Sequence, residues 1–509
     1  MAPDFVFQLR DKWRNPFRHS KIPSKNLFLV RKKIYLHHLP KSYNPLLMVN
    51  LKSSLQLLVS GIFCISVAVS NMATAADRDS VVVRSIYSEA LTSRIAYNNL
   101  LLLCRQAPGR LSGSPQLNTA IQLTKQFLLD AGADTVYLQP VLIPNWKPGQ
   151  TEAYFINGNR KVALHALPLG NSVPSPAEGI SASVVEVHSF DELNALGREK
   201  ISGRIVFYNR PMDPTLINTF TAYGRAADQR VSGASKAAAL GAVAVLVRSL
   251  TLASDTFPHT GQMRYQEGIG KIPALAVATR DADSISCWLK QNPDVQVFIR
   301  TTCRQAGDTT GYNVIGEIRG KNPAKGILLT GGHLDAWYNT PGAHDDGAGC
   351  IQSIEVIRLF HTLGIRPEHT IRAVLFMDEE ISQTGGRKYA QAASMEKENH
   401  LIALESDRGG LLTIGFTFDC NEKDMETLQK LKPYFEPYRT DTFLKGGSGT
   451  DVAPLRSSAR ILAGLLTDSQ RYFDYHHSAY DTPDHVNIRE LQLGSAAIAS
   501  LFYLIDRRF

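Results

Sequence analysis

The alternation of short apolar segments with helical segments from residue 311 onward constrains the fold more than any other feature of this chain. Segments with the length and β-branched content of buried strands occur at 313–320, 326–332, 370–377, 400–406 and 459–467. Segments with apolar residues at helical spacing separate or follow them, at 347–364, 385–393, 423–435 and 488–506. This pattern predicts an α/β fold in which helices cover a mostly parallel sheet.

Polar side chains follow four of these predicted strands where each strand ends. They are His333, Asp335 and Asp345 after 326–332, Asp378, Glu379 and Glu380 after 370–377, Asp407 after 400–406, and His476, His477 and Asp481 after 459–467. In open α/β sheets, ligands bind at the carboxyl ends of the strands. We therefore expect these side chains to meet at one edge of the sheet.

The residue types at this edge suit zinc, which takes neutral imidazole and carboxylate ligands. Three carboxylates facing two zinc ions leave one positive charge, which a bridging hydroxide neutralises. The same acids buried together without metal would lose their hydration and repel one another. The sequence therefore predicts two Zn²⁺ per chain.

The ordered motifs HLD, DDGAG, EE, ESD and HHSAYDT resemble those of the di-zinc aminopeptidase and glutamate carboxypeptidase family, closest to its carboxypeptidase Q branch. The resemblance covers about residues 84–509 and includes GRLSGSPQL near its start. It implies a sheet of the zinc-exopeptidase type, with an inserted smaller α/β domain similar to a protease-associated (PA) domain.

The resemblance implies a ligand role for five residues. His333 and Asp407 are expected to bind one zinc ion, and Glu380 and His477 the other. Asp345 is expected to bridge the two ions.

The resemblance also implies roles beside the metals. Glu379 is expected to be the general base that deprotonates the bridging water, and Asp335 to orient the site. The family's ligand histidine lies four residues before the aspartate of the DT pair, which selects His477 over His476. His344 stands where the family often has a small or apolar residue, and we expect it beside the metals without binding them.

The expected function is hydrolysis of small peptides with a free N-terminus, as an aminopeptidase or dipeptidase, although a carboxypeptidase has the same core. One alternative is an enzyme similar to glutaminyl cyclases, which use a single zinc ion. Another is a binding protein similar to the family's non-catalytic receptors, which would be expected to lack ligands or the base. The ligand set and the base both look complete, which favours hydrolysis.

The sequence predicts a domain inserted at about 165–304, between an N-terminal part of the catalytic domain (77–164) and its main part (305–509). The insert has short β-branched segments, and none of them leads into the proposed ligands. We expect it to affect substrate handling and to be dispensable for the metal site.

The N-terminal end looks like a targeting segment. From Met48, a lysine, an apolar run at 57–69 and the sequence Ala73-Thr74-Ala75 predict a signal peptide over 48–76 and an exported, periplasmic or secreted protein. A stretch of thirteen residues is too short to cross a bilayer core of ~30 Å as a helix, so we expect no stable membrane anchor. Residues 1–47 are interpreted as a mis-annotated extension.

Charge argues against nucleic acid as a partner. The net charge is +8, but residues 1–76 hold eleven Lys/Arg against two Asp/Glu, and the remainder holds 44 against 45. The main part of the chain therefore lacks a basic footprint. The expected partner is a small peptide substrate, and a homodimer is left open.

Five cysteines follow the predicted signal peptide. Among them, Cys287 and Cys303 could form a disulfide bond, although spacing alone does not show it.

Overall fold

The computed structural model describes residues 78–157 and 160–509. The predicted extension at 1–47 and the predicted signal peptide at 48–76 lie outside the described residues.

Sixteen strands are described. They are β1 (Thr135–Lys147), β2 (Thr151–Asn157), β3 (Arg160–Ala163), β4 (Ala166–Pro168), β5 (Ile180–Val187), β6 (Ile205–Tyr208), β7 (Ala244–Arg248), β8 (Ala274–Val277), β9 (Gln296–Thr301), β10 (Arg304–Ile318), β11 (Ile327–His333), β12 (Thr370–Phe376), β13 (His400–Glu405), β14 (Thr413–Asp419), β15 (Thr442–Lys445) and β16 (Ala459–Thr467).

Twelve α-helices accompany them within the described residues. They are α1 (78–92), α2 (Ile95–Gln106), α3 (Pro115–Asp130), α4 (Phe190–Ile201), α5 (Thr219–Ala226), α6 (Asp228–Ala239), α7 (Thr279–Gln291), α8 (Ala348–Thr362), α9 (Thr384–Met395), α10 (Glu422–Gln429), α11 (Tyr472–Tyr475) and α12 (Ile488–Arg508).

The first sheet has the strand order β1-β10-β12-β11-β13-β16-β14-β15. Its central strands β12, β11, β13 and β16 are parallel, whereas β1, β10 and β14 pair antiparallel towards the edges. Every residue of β11, β12 and β13 is buried, as expected for parallel strands covered on both faces. The predicted α/β class is confirmed.

Helices cover both faces of this sheet because side chains alternate along each strand. Val314 of β10 belongs to a large core shared with α2, α3, α8 and α12. Ile315, the next residue, packs in a smaller core against Tyr389 of α9. The sheet is therefore the middle of three layers, and its strand ends are the part left free to carry a site.

The second sheet has the order β3-β2-β9-β5-β6-β7-β8-β4 and lies between β1 and β10 in the chain. It begins at Thr151. The segment 151–163 was predicted to belong to the catalytic domain, but its strands pair in this second sheet, β2 with β9 and β3 with β2. The predicted boundary at 165 is therefore too late for the sheet. Residues 151–301 are called the insert below.

A long antiparallel ribbon joins the two sheets. β1 and β10 pair from Thr135↔Glu317 to Lys147↔Arg304, with one irregularity between Pro144 and Trp146. The chain therefore leaves for the insert and returns from it at neighbouring positions of the same ribbon.

Helix α12 is long and apolar enough to cross a membrane by length and composition alone, and 72% of its most apolar stretch is buried against the rest of the protein. The cysteines at 104, 287, 303, 350 and 420 are free. Cys303 is buried and Cys287 is exposed, so the bridge considered between them is absent.

Candidate metal centre

The parallel centre of the first sheet brings the predicted residues to one edge. His333 is the last residue of β11 and pairs with Phe376, the last residue of β12. Gly331 pairs with Glu405 at the end of β13, which in turn pairs with Gly464 of β16. The segments that follow these strands therefore start side by side.

Asp345 lies between two sets of ligand atoms. Its Oδ1 is 3.1 Å from Nε2 of His333, which is itself 3.5 Å from Oδ1 of Asp407. Its Oδ2 is 3.3 Å from Nε2 of His477, which is 3.2 Å from Oε2 of Glu380. The five residues predicted as ligands thus form two sets that share one carboxylate.

These separations match the spacing of atoms that share a metal ion. Zinc–nitrogen and zinc–oxygen bonds are ~2.0–2.2 Å long, so two ligands of one tetrahedral zinc lie roughly 3.3 Å apart. In addition, Oδ2 of Asp345, Oε1 of Glu380 and Oδ1 of Asp407 are buried without a hydrogen-bond partner among the described residues. Buried, unpartnered carboxylate oxygens are costly unless a cation binds them. The donor set therefore fits zinc.

The loop that carries Asp345 is held by Asp481, which the sequence analysis placed at this edge, and by Asp346 and Arg110, to which it gave no role. Asp481 accepts hydrogen bonds from the backbone N–H groups of His344 (2.7 Å) and Asp345 (3.0 Å). Asp346 accepts from the N–H of His333 at 3.0 Å, which ties the loop to the end of β11. Buried Arg110 donates to the carbonyl groups of Leu334, Pro341 and Gly342. These hydrogen bonds therefore hold the loop at both of its ends.

Glu379 faces the cavity beside the ligand Glu380 and is partly exposed. The carboxylate of Asp335, fully buried, accepts from the N–H of Glu379 at 3.1 Å and of Glu380 at 3.3 Å. The Nδ1–H of His333 donates to the backbone oxygen of Asp335 at 3.0 Å, so the Asp335 side chain orients the glutamates and its main chain orients the histidine. Burial raises the pKa of Glu379 to about 7.

The neighbouring histidines differ in their distance from the ligand set. Nε2 of His477 approaches Asp345 and Glu380 at 3.3 and 3.2 Å, whereas Nε2 of His476 is 3.8 Å from Asp345. The two rings stack with centroids 3.4 Å apart. His476 also lines the cavity and lies near enough to Asp345 and His477 to share a metal ion with them, but the shorter distances favour the assignment of His477.

His344 packs away from the ligand atoms. Its ring stacks on Tyr475, accepts from the N–H of Gly410 at 3.2 Å, and donates to the carbonyl group of His485 at 3.3 Å. Burial lowers the pKa of His344 to about 4, so it remains neutral. This packing role agrees with the expectation that it does not bind metal.

The insert, which was expected to affect substrate handling, also reaches the proposed ligand His477, a contact that the sequence analysis did not anticipate. The Nδ1–H of His477 donates to the carbonyl oxygen of Thr260 at 3.2 Å. Metal ligation by histidine commonly depends on such a contact at the other ring nitrogen. The expectation that the insert is dispensable for the metal site is therefore not supported by the contacts.

A cavity of about 230 Å³ opens onto the ligand atoms, and the insert supplies Phe220, Tyr223, Arg230 and Gln262 to its wall. Arg230 is buried and forms no ion pair with an acid among the described residues. Its guanidinium group donates to the hydroxyl of Tyr223 and to the carbonyl oxygen of Thr260, and its Nε is left without a partner. A positive group without a counter-ion therefore faces the site.

Comparison with known proteins agrees with this geometry. The sequence profile of Peptidase family M28 matches residues 313–502. Carboxypeptidase Q from Bos taurus and from Homo sapiens are each 34% identical over 84% of this chain and 88% of their own length. An M28 peptidase precursor from Shewanella amazonensis has a TM-score of 0.81 at 32% identity, over 84% of this chain and 97% of that one. A zinc aminopeptidase from Bacillus subtilis shares the fold, with a TM-score of 0.59 at 17% identity, over 81% and 95%.

Proposed function

Since the chain belongs to peptidase family M28 and is a zinc-dependent metallopeptidase, we propose that it is an exopeptidase of small peptides that uses two zinc ions. The observation that carries this proposal is the carboxylate of Asp345, whose Oδ1 lies 3.1 Å from His333 and whose Oδ2 lies 3.3 Å from His477. If the site held only one ion, bound by the first set, Glu380 and His477 would have no metal to bind.

In the proposed site, His333, Asp407 and Asp345 hold one zinc ion, and Glu380, His477 and Asp345 hold the other. When bound, zinc would lower the pKa of a bound water molecule and polarise the carbonyl group of the substrate.

Glu379 acts as the general base in this proposal. Its carboxylate takes the proton of the attacking water and returns it to the leaving amine once the peptide bond has broken. Asp335 positions Glu379 by accepting from its backbone N–H. The Nε2 of Gln383 lies 3.4 Å from Oε1 of Glu379 and restrains the carboxylate.

The cavity supports short substrates. Its volume of about 230 Å³ lies below the ~300–1,000 Å³ typical of pockets for drug-sized ligands. Arg230 favours a substrate with a free carboxylate, because a carboxylate pairs well with a buried guanidinium group that has no acid partner. We therefore propose dipeptides or similarly short peptides with both termini free.

Replacing Arg230 by methionine is expected to raise KM for a dipeptide with a free carboxylate by ~10-fold or more, since a hydrogen bond to a charged group contributes ~1.5–3 kcal/mol. The KM of the same dipeptide amide should change little. Steady-state kinetics on the two substrates measures the difference. Arg225→Met, at an exposed position of the insert, is the control, and an equal rise for acid and amide would contradict carboxylate binding.

Metal analysis separates hydrolysis from the alternatives. The purified protein is expected to hold two zinc ions per chain, to lose peptidase activity in a chelator and to regain it on zinc addition. One ion per chain, with cyclisation of N-terminal glutamine, would favour the glutaminyl cyclase alternative. Two ions without turnover, on a panel of dipeptides, blocked dipeptides and aminoacyl-anilides, would favour a binding protein.

The proposal includes export and a PA-type insert. The signal peptide at 48–76 would deliver the enzyme to the periplasm or the medium, with translation starting at Met48. N-terminal sequencing of precursor made with cleavage blocked tests this start. Peptides from 1–47 in that precursor would refute it.

A further inference from the structure

We infer that the segment His259–Thr260 of the insert is a positioning element for the metal ligand His477, so that the insert completes one of the two zinc positions. This inference rests on the proposed two-zinc site. It concerns a part of the chain far in sequence from every proposed ligand.

The ring of His477 is oriented from the insert. Nδ1 of His477 lies 3.2 Å from the carbonyl oxygen of Thr260. A carbonyl oxygen only accepts, so Nδ1 carries the proton and the lone pair of Nε2 points towards Asp345 and Glu380. The same hydrogen bond fixes both the tautomer and the ring angle that a metal ligand needs.

The backbone of the ligand segment is held from the insert as well. The N–H of Thr260 donates to the carbonyl oxygen of His477 at 3.2 Å. Nδ1 of His259 donates to the carbonyl oxygen of His476 at 2.8 Å. His477 has a φ of +61°, a left-handed conformation that residues other than glycine adopt with difficulty. Two donors from the insert therefore hold the peptide groups on both sides of a residue in this less common conformation.

The positioning segment is rigid in turn. Thr260 is fully buried, and its Oγ1 donates to the carbonyl oxygen of Pro168 at 2.8 Å. The N–H of His259 donates to Oγ of Ser249 at 2.8 Å. Both partners belong to the insert, so the segment moves with it. No hydrogen bond among the described residues connects the insert to the side chains of His333, Asp345 or Asp407, and the effect should be confined to one zinc position.

The test removes the donor of His259. In His259→Leu, one of the two zinc equivalents should be lost at a chelator concentration at least ~10-fold lower than in the wild type, in line with the ~10–100-fold cost of losing a contact that orients a ligand. The other equivalent should be retained as in the wild type. His259→Asn, whose side-chain N–H can stand where Nδ1–H stood, should restore wild-type retention. Zinc content after equilibration with graded chelator is the measurement.

Thr219→Val is the matched control. It also removes a partly buried hydrogen bond between the insert and the rest of the protein, from Oγ1 of Thr219 to the carbonyl oxygen of Ser469 at 3.0 Å, but it does not touch the histidine segment. Both zinc equivalents should be retained as in the wild type. Equal losses in Thr219→Val and His259→Leu would overturn the inference, because a general loosening would then explain both.

Hydrogen exchange on the unmodified protein gives a readout that needs no variant. Removing zinc should speed exchange of the Thr260 amide, which donates to His477, and leave the amides of β7 in the insert unchanged. Unchanged exchange at Thr260, or wild-type zinc retention in His259→Leu, would overturn this inference and leave the two-zinc proposal standing. Fewer than two zinc ions in the wild type would overturn the two-zinc proposal itself.

Discussion

Replacing Glu379 by glutamine is expected to lower kcat by at least ~10²-fold while two zinc ions remain bound, because general-base catalysis contributes ~10²–10⁴-fold. Glutamine keeps the shape of the side chain and cannot accept the proton. Glu379 is absent from the groups of side chains close enough to share a metal ion, although it lines the same cavity. Loss of activity should therefore occur without loss of metal.

Kinetics combined with zinc analysis of the purified variant checks this expectation. Glu426→Gln makes the same chemical change at an exposed position of α10 and should leave both quantities unchanged. Turnover of Glu379→Gln within a few-fold of the wild type would remove Glu379 as the base. Loss of zinc would show instead that it is a ligand.

Replacing His477 by asparagine is expected to remove one of the two zinc ions and to lower kcat/KM by ~10² or more, since a bound metal ion contributes several kcal/mol to the reaction. Asparagine is chosen because it tolerates the left-handed conformation at this position better than alanine. His476→Asn is the matched variant and should keep both ions, with less than ~10-fold loss. If His476→Asn loses a zinc ion and His477→Asn keeps both, the ligand assignment is wrong by one residue.

The arrangement of the candidate ligands followed from local patterns. Each proposed ligand stands directly after a segment that reads as a buried strand, or in the loop that follows it. In a parallel sheet these ends lie side by side, as the pairing of His333 with Phe376 shows. The chemistry of the side chains and the order of the motifs then led to the family, which the comparisons show.

The contribution of the insert did not follow from the sequence, for a physical reason. Thr260 acts through its backbone carbonyl group, which every residue has, and Arg230 stands near the start of a helix of ordinary composition. Their roles depend on the packing of two sheets that are far apart in the chain. The unusual feature of Arg230 is that a charged residue is buried within a helix. The sequence pattern did not show that this position is buried, so the feature could not be recognised from the sequence.

The start of the insert was misplaced because residues 134–165 read as one series of strands, which gave no reason to assign those after KPGQ to a different sheet. Every residue of β3 is exposed, so the segment lacks the apolar alternation that marks a half-buried strand. The chain passes from the first sheet to the second through residues 148–150, Pro-Gly-Gln, between β1 and β2. The short β-branched segments that marked the insert in the sequence begin only further along the chain, with β5.

The ribbon of β1 and β10 has a consequence for how the protein folds. Closing a loop of about 150 residues between Lys147 and Arg304 costs about 4 kcal/mol in chain entropy if the loop is unfolded. In the folded insert, Thr151 pairs with Thr301, which brings the two ends together in advance. The insert is thus expected to form before the ribbon closes, and a destabilised insert should slow the assembly of the first sheet, because its outer strand β1 joins only when this long-range contact is made.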